Sequence, residues 1–298
     1  MERSFYFETV TQYNDFNNHE TRHPLVSVID FSKAERRTGS KMYFGIYAVF
    51  LKEAVCGDLK YGCNTYDYQE GTLVFVSPGQ VVDVANKTEP YQPAGYALAF
   101  HPDLLLGTAL AKNLGHYSFF SYHTHEALHL SEQERRIVLD CLAKIELELK
   151  HSVDKHSKRL IASNIELFLN YCERFYDRQF ITRENVNRGI LERFEELING
   201  YYSSGDALET GVPSVAWCAE ALHLSPNYFG DLVKKETGRS AQEYIRNKVI
   251  EMAKKKIFDR NKTINEIAYE LGFKYPQHFI RLFKQQVGRT PHEYRLLQ

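Results

Sequence analysis

The sequence lacks the apolar segments that mark membrane or secreted proteins. No run approaches the roughly 18 to 20 consecutive apolar residues that a membrane-spanning helix needs, and the N-terminus, MERSFYFETVTQ, does not show the basic and then apolar order of a signal peptide. We therefore expect a cytoplasmic protein with no membrane partner. With 298 residues, 43% of them hydrophobic and 25% charged, the chain is long enough for two domains with buried cores.

The chain also lacks several of the residue patterns that mark common enzyme and metal sites. Its five cysteines include no CxxC pair, the spacing that builds many zinc and redox sites, so most are predicted to be small buried residues. No GxSxG or phosphate-binding glycine loop occurs. We expect no catalytic residue, no cofactor and no metal.

Net charge is nearly absent from the chain as a whole, at −1, but it is unevenly distributed. Residues 213–298 contain 15 Lys and Arg against 9 Asp and Glu, a balance of +6, whereas the residues before them carry −7. A basic C-terminal third predicts attraction to a polyanion such as nucleic acid.

Residues 1–130 have the pattern of strands. Short aromatic and β-branched runs are separated by Gly, Pro, Asn and Asp, and they begin at Tyr43 (YFGIYAVF), Gly71 (GTLVFVSPGQ) and Gly95 (GYALAFHP). This spacing indicates an antiparallel barrel or sandwich. The continuous apolar run at 73–76 predicts a strand that is covered on both faces.

From Ser131 onward the apolar period becomes helical. A capping-box start, SEQE, precedes an apolar stripe that ends at Leu149, and a second stripe runs from Ile161 to Cys172. We expect these two helices either to pack on the sheet or to pair with another subunit. A third helix is predicted over about 183–202, and the polar stretch from Ser203 to Pro213 is predicted to be a loop.

The C-terminal third contains an internal repeat. Residues 225–244, SPNYFGDLVKKETGRSAQEY, align with residues 275–294, YPQHFIRLFKQQVGRTPHEY, at an offset of 50. Upstream, Ala219 and Leu222 align with Ala268 and Leu271 at an offset of 49, so the two units differ by one residue in a turn. Each unit is predicted to be a helix (Val215 to Leu222, or Ile264 to Leu271), a tight turn and a second helix (Pro226 to Thr237, or Pro276 to Val287), with a connecting helix at 241–258 between the units. This arrangement is the helix-turn-helix, whose second helix, the recognition helix, enters the DNA major groove. Proline in the first turn and Gly238 or Gly288 at the end mark each second helix. The side chains expected in the two cores are Ala219, Phe229, Leu232, Ala268, Phe279 and Phe283.

The outward positions of each second helix are the candidate DNA contacts. In the first unit they are Asn227, Gly230 and Asp231, with Lys234, Lys235 and Arg239 beyond them. In the second unit they are Lys274, Gln277, His278, Arg281 and Lys284. Gln277 suits adenine, Arg281 suits guanine, and lysines suit phosphates. An ordinary solvated helix face is the alternative, but duplication on a basic segment favours DNA binding.

Three motifs in the second unit extend this interpretation: Ile267-Ala268 with Gly272-Phe273, FIRLFK at 279–284, and GRTPHEYR at 288–295. Together they resemble the C-terminal signature of the AraC/XylS family of transcription regulators, over about residues 185–298. The resemblance implies a seven-helix DNA-binding domain. It also implies base contacts from Asn227, Gly230, Asp231, Pro276, Gln277 and Arg281. Gly230 and Asp231 depart from the polar or basic residues common at their positions.

Family members often carry a cupin-like barrel that binds a small effector, followed by a helical segment that dimerises. The resemblance therefore implies an α+β fold: a cupin-like antiparallel β-barrel as sensor at 1–130, a helical dimerisation or connector segment at 131–180, and an all-α DNA-binding domain with two helix-turn-helix units at 183–298. It implies a homodimer that binds a double-stranded operator, contacts RNA polymerase and acts more often as an activator. The effector could be sugar-like if Tyr61, Tyr66, Tyr68 and Tyr91 line a pocket, although ordinary strand packing is favoured.

One histidine cluster supports an alternative from another class of protein. On a strand, His123 and His125 would lie on the same side, as metal ligands do, and His129 follows them. The cluster lies just before the helical region, away from the clearest strands. We therefore favour the regulator, with a cupin-like metal enzyme fused to a DNA-binding domain as the alternative.

Overall fold

The computed structural model describes residues 4–36, 38–52, 71–83, 91–123, 126–151, 154–182 and 184–296. The chain divides into two compact units, residues 1–182 and 183–298. Among the described residues, no helix is both long enough and apolar enough to cross a membrane.

The first unit contains two sheets, four α-helices and four short 3-10 helices within the described ranges. Its strands are β1 Ser4–Phe7, β2 Val26–Asp30, β3 Lys41–Phe44, β4 Tyr47–Lys52, β5 Thr72–Val76, β6 Val81–Asp83, β7 Tyr96–Phe100 and β8 Leu128–His129. Its α-helices are α1 Val10–Phe16, α2 Ala109–Asn113, α3 Glu132–Lys150 and α4 Ser157–Thr182.

The strands pair in two orders, β1-β3-β6 and β2-β7-β4-β5-β8. All described pairings are antiparallel except that of β1 with β3, which is parallel. The fold is therefore a mixture of α and β, as predicted, but neither sheet closes on itself within the described residues. Residues 53–70 and 84–90 lie outside them, so the cupin-like barrel stays a prediction.

The two sheets enclose an aromatic core. Phe7, Phe44 and Phe50 lie on inward positions of both sheets, and Tyr13 of α1 completes the cluster. The prediction of strands throughout 1–130 missed α1, which begins with a capping box between Thr9 and Gln12. Such a short helix has no long apolar period, and the burial of Val10 and Tyr13 against the sheets stabilises it.

The other face of the larger sheet is covered by helices, which confirms the prediction that β5 is buried on both faces. All five residues of β5 are buried. The Phe75 ring lies 4.5 Å from the Phe119 ring and 6.1 Å from that of Tyr176 in α4. The predicted capping box at Ser131 is present at the start of α3, and the predicted stripe of α4 is buried.

Polar side chains attach the end of α4 to β8. The Arg178 guanidinium donates to both carboxylate oxygens of Glu134 and, at 2.6 Å, to the His129 carbonyl. The Gln179 side chain accepts from the His129 amide at 2.7 Å and donates to the Ala127 carbonyl at 3.2 Å. These bonds satisfy buried polar groups at a sheet edge.

The second unit is helical, and its described part, 184–296, contains eight helices rather than the seven that the resemblance implies. They are α5 Glu184–Ser204, α6 Asp206–Thr210, α7 Val215–Ala221, α8 Pro226–Thr237, α9 Ala241–Lys256, α10 Ile264–Glu270, α11 Pro276–Val287 and α12 Pro291–Arg295.

The additional helix corrects the predicted loop at 203–213. Ser203 and Ser204 continue α5, Gly205 reverses the chain at a φ of 87°, and Asp206–Thr210 forms one more helical turn. The methyl group of Ala207 is buried, and α6 packs against α5 and α10. Burial therefore outweighed the local preference of a polar, glycine-containing stretch for a loop.

Candidate nucleic-acid interface

Two helix-turn-helix units lie in the second unit of the chain. The first consists of α7 and α8, and the second of α10 and α11. Both second helices have the predicted bounds, Pro226–Thr237 and Pro276–Val287. Each begins with proline in its first turn and ends before a glycine in the left-handed conformation, Gly238 at a φ of 71° and Gly288 at 80°.

The two turns follow the same hydrogen-bond pattern. In the first, the amides of His223 and Leu224 donate to the carbonyls of Glu220 and Ala219, both at 2.9 Å. In the second, Gly272 and Phe273 donate to Tyr269 and Ala268, at 2.9 and 3.0 Å. His223 and Gly272 both have positive φ, 59° and 86°, so the turns share one backbone path although only one uses glycine.

Small and aromatic side chains form each core, as the repeat predicts. Ala219 and Ala268 are fully buried, which permits close approach of the paired helices. Phe229 and Leu232 in the first unit, and Phe279 and Phe283 in the second, are also fully buried. The cores fix which positions of α8 and α11 point away from the protein.

The candidate DNA contacts lie on the outer side of these helices. In α8, Asn227, Lys234 and Lys235 are exposed, and Gly230 and Asp231 are half-buried. In the second unit, Pro276 is half-buried, and the remaining predicted contacts are exposed: Lys274, Gln277, His278, Arg281 and Lys284. No atom lies within 4 Å of the point where a Cβ at Gly230 would be, so the surface of α8 has an open space at that position.

The N-terminal ends of α8 and α11 are capped differently. The buried Ser225 hydroxyl accepts from the Tyr228 amide at 3.3 Å and caps α8. Tyr275 provides no side-chain hydrogen bond at the start of α11. Its ring instead lies 5.7 Å from the Lys274 ammonium and 5.6 Å from the His278 ring. Lys274 is the extra residue of the second unit, so the insertion adds a cation beside the recognition helix.

The second helix-turn-helix unit is held in place by two contacts that the apolar period of the sequence does not predict. A Cβ at Gly272 would lie 2.5 Å from the Gly211 carbonyl carbon and 2.7 Å from the Val212 nitrogen. The Gly211 carbonyl also accepts from the Tyr201 hydroxyl at 2.6 Å. The turn of the second unit therefore packs backbone against backbone on the segment that follows α6.

Arg295 makes the other unpredicted contact. Its guanidinium donates to the Ile257 carbonyl at 2.6 Å and to the Lys262 carbonyl at 2.9 Å, joining α12 to the loop before α10. Glu270 of α10 pairs with Lys256 at 2.5 Å and with Lys262. Arg295 stands in the GRTPHEYR motif, but only tertiary structure shows which carbonyls it reaches.

Capping boxes begin α9, α10 and α12. Hydrogen bonds from the side chain and amide of Ser240 lower the pKa of Glu243. Bonds from the amide and hydroxyl of Thr263 lower the pKa of Glu266, and those of Thr290 lower that of Glu293.

The single tryptophan, Trp217, lies in α7. Beside it, burial raises the pKa of the Cys218 thiol to about 12.

The histidine cluster is only partly described. His123 is exposed, His129 is half-buried in β8, and His125 lies outside the described residues. Tyr61, Tyr66, Tyr68, Cys56 and Cys63 also lie outside them. Among the residues that the structure describes, no group of three or more His, Cys, Asp or Glu side chains could hold a metal ion.

The duplicated helix-turn-helix with basic, outward-facing second helices defines a DNA-binding domain. Residues 218–296 match the family model described as a helix-turn-helix domain, of the AraC type. Residues 218–296 are therefore a helix-turn-helix domain of the AraC type.

Proteins similar to this chain match it mainly over the same region. The uncharacterized regulator YobQ of Bacillus subtilis is 38% identical over 77 residues, 26% of this chain and 32% of YobQ. The bifunctional transcriptional activator/DNA repair enzyme AdaA of Bacillus subtilis is 36% identical over 77 residues, 26% of this chain and 36% of AdaA. A solved C-terminal domain of the response regulator YesN from Fusobacterium nucleatum is 30% identical and covers 35% of this chain and 95% of that domain, with a TM-score of 0.31. The chain spans less than half the length of the first curated relatives it matches.

Proposed function

We propose that the whole chain is a sequence-specific transcription regulator that binds duplex DNA through both helix-turn-helix units. The observation that carries this proposal is the duplicated fold with exposed polar and basic positions on α8 and α11, in a segment whose charge balance is +6. If both second helices enter one face of the duplex, their sites lie about 10 base pairs apart.

The second helix-turn-helix unit is proposed as the main source of base recognition. Exposed Arg281 and Gln277 can form paired hydrogen bonds with guanine and adenine edges, and Pro276 can contact a thymine methyl group. Lys274, His278 and Lys284 are proposed to contact phosphates or neighbouring edges. In the first helix-turn-helix unit, Asn227 is the remaining polar side chain that can read bases, because Gly230 has no side chain. The Asp231 carboxylate repels phosphate, and among base edges it can accept a hydrogen bond only from donors such as the cytosine amino group. Lys234 and Lys235 are proposed phosphate contacts.

The first unit of the chain is proposed to be a cupin-like sensor or dimerisation domain whose effector changes operator binding or contact with RNA polymerase. The buried faces of its sheet and the long helices α3 and α4 fit such a role. Activation is supported by the similarity to AdaA, which is named a transcriptional activator. We propose a homodimer without catalytic activity.

The test is operator binding by the purified full chain. Selection of genomic fragments bound by the protein would supply the operator, and fluorescence anisotropy would compare that duplex with a scrambled one. Arg281→Ala is expected to weaken operator binding by roughly 1 to 3 kcal/mol and to relax one base position.

A matched control removes the same charge elsewhere. Arg260 is exposed in the loop between α9 and α10, so Arg260→Ala should leave base preference intact. Equal binding of the operator and the scrambled duplex by the unmodified chain would contradict sequence-specific regulation.

A further inference from the structure

A cleft lies in the first unit of the chain, on the surface of α4. It is bounded by the first turns of α4 and by the segment from Leu106 to Leu110, and its volume is about 380 Å³. That volume is enough for a small organic molecule, since such sites commonly begin at about 300 Å³.

One wall of the cleft is strongly basic. Lys155, Lys158 and Arg159 line it, and Glu166 is the only carboxylate among the described lining residues. The Glu166 carboxylate already accepts a hydrogen bond from the Asn113 amide at 2.8 Å. Lys155 lies just before α4 and Arg159 in its first turn, and among the described residues neither forms an ion pair. A bound anion would supply an opposite charge for both cations.

Lys158 has a fixed position in this wall. Its ammonium donates to the Leu106 carbonyl at 2.8 Å, across the cleft. This bond holds the 106–110 segment against α4 and leaves further ammonium protons for another acceptor. The cationic wall is therefore partly ordered before any ligand binds, which lowers the entropy cost of binding.

The floor and rim of the cleft are apolar. Leu110 and Ala162 are buried at its base, and Ala109 and Leu106 stand at its edge. Leu106 is 64% exposed, which is high for a leucine beside a cavity. An apolar floor under a basic wall suits an anionic group attached to a short hydrocarbon body better than it suits an inorganic anion.

We propose that this cleft binds a small organic carboxylate, with Lys155 and Arg159 contacting the carboxylate and Leu106, Leu110 and Ala162 contacting its apolar part. The proposal rests on the proposed function in that such a ligand would be an effector of the regulator. It places the effector site outside the two sheets, between α4 and the 106–110 segment.

Calorimetric titration of the full chain with hexanoate tests the site, with hexanol and inorganic phosphate as comparison ligands. Hexanoate should bind more tightly than either, because only hexanoate supplies both charge and apolar surface. The double substitution Lys155→Gln with Arg159→Gln should weaken hexanoate binding at least about tenfold, the loss expected for charge-assisted hydrogen bonds. Arg174→Gln is the matched control, since Arg174 is an exposed cation farther along the same helix, and it should leave binding unchanged.

Three results would overturn the proposal: no heat with hexanoate, equal hexanoate binding by the double variant, or tighter binding of phosphate than of hexanoate. Loss of scrambled-duplex binding by the double variant would also overturn it, because the patch would then be a nucleic-acid contact. Operator binding, measured on the same samples, separates the two claims. A chain that binds the operator but not hexanoate refutes only the cleft, and one that binds hexanoate but no operator refutes only the regulator.

Discussion

The first helix-turn-helix unit turns at His223, which is exposed, whereas the second turns at Gly272 against the backbone of Gly211 and Val212. The first unit is held instead by α5. The Phe194 ring lies 4.9 Å from that of Phe229 and 5.3 Å from that of Tyr244, whose hydroxyl bonds Glu195. The same backbone path thus acquires different supports, and its two recognition helices need not carry equal roles.

Gly272→Ala is expected to give the largest effect on this comparison. It combines the strain of alanine at positive φ with a backbone clash, so the free energy of unfolding should fall by roughly 3 kcal/mol or more. Gly288→Ala is the control, because Gly288 also has positive φ but no atom within 4 Å of a Cβ. It should cost only about 1 kcal/mol. Denaturant unfolding followed by Trp217 fluorescence measures both, and equal losses would show that the contact with Gly211 has no energetic role.

Replacing one charged residue on each recognition helix by alanine should give the next largest effect. Arg281→Ala should weaken operator binding by roughly 1 to 3 kcal/mol. Asp231→Ala should leave affinity unchanged or raise it, because it removes a negative charge near phosphates. Anisotropy titration on single-base operator variants measures both. If Asp231→Ala instead relaxed one cytosine position, the two units would be comparable base readers.

Removing the cap of α8 should destabilise its first turn, whereas adding a cap to α11 should stabilise its first turn. Ser225→Ala should lower the free energy of unfolding by about 1 kcal/mol, because it removes the cap of α8. Tyr275→Ser should protect the first turn of α11 from amide exchange, because it supplies a missing cap to a largely exposed position. Faster exchange in this variant would mean that the Tyr275 ring contributes more through Lys274 and His278 than a serine cap would.

Lys234 and Lys284 occupy matching positions of the repeat and should behave alike. Each substitution by alanine should reduce the slope of log affinity against log salt by about 0.9, without changing base preference, if each lysine contacts one phosphate. The measurement is operator and scrambled-duplex binding over a salt series. A change in slope for only one lysine would show that the two units lie at different distances from the DNA backbone.

Acidification should produce the smallest difference between the units. Hydrogen bonds hold the pKa of Glu266 and Glu293 below the usual value of 4.5. The stabilisation they provide is therefore complete above about 4.5 and is lost as the pH falls through the lowered pKa values. The caps of α7 and α8 are serine hydroxyls, which do not titrate.

Amide exchange followed by mass spectrometry, corrected for intrinsic rates, should show α10 and α12 opening before α7 and α8 as the pH is lowered below 4.5. Glu266→Gln should remove the pH dependence at the start of α10, since its amide still accepts but does not titrate. Simultaneous opening of all four helices would contradict this order.

Local signals predicted the recognition helices to the residue. Pro226 and Pro276 mark their first turns, and Gly238 and Gly288 mark their ends, and each signal acts within one helical turn. The outward positions followed from the same period, because burial of Phe229 and Phe279 fixes the rotation of each helix. The continuous apolar run of β5 likewise predicted a strand covered on both faces.

Contacts between distant residues could not be predicted in this way. Formation of α6 depends on burial of Ala207 against helices that are far away in sequence, and the parallel pairing of β1 with β3 has no local signature. The Gly272 motif was visible in the sequence, but its partner at Gly211 was not. The carbonyls that accept from Arg295 also became evident only from the packing of α12.

The approach of Gly211 to Gly272 also restricts where these units can vary in length. An insertion at either glycine would push one backbone into the other, whereas an insertion after Phe273 only lengthens the approach to α11. The additional residue that distinguishes the second unit, Lys274, stands at that permitted place. We therefore expect insertional mutagenesis to tolerate added residues beside Lys274 and to reject them one or two positions earlier.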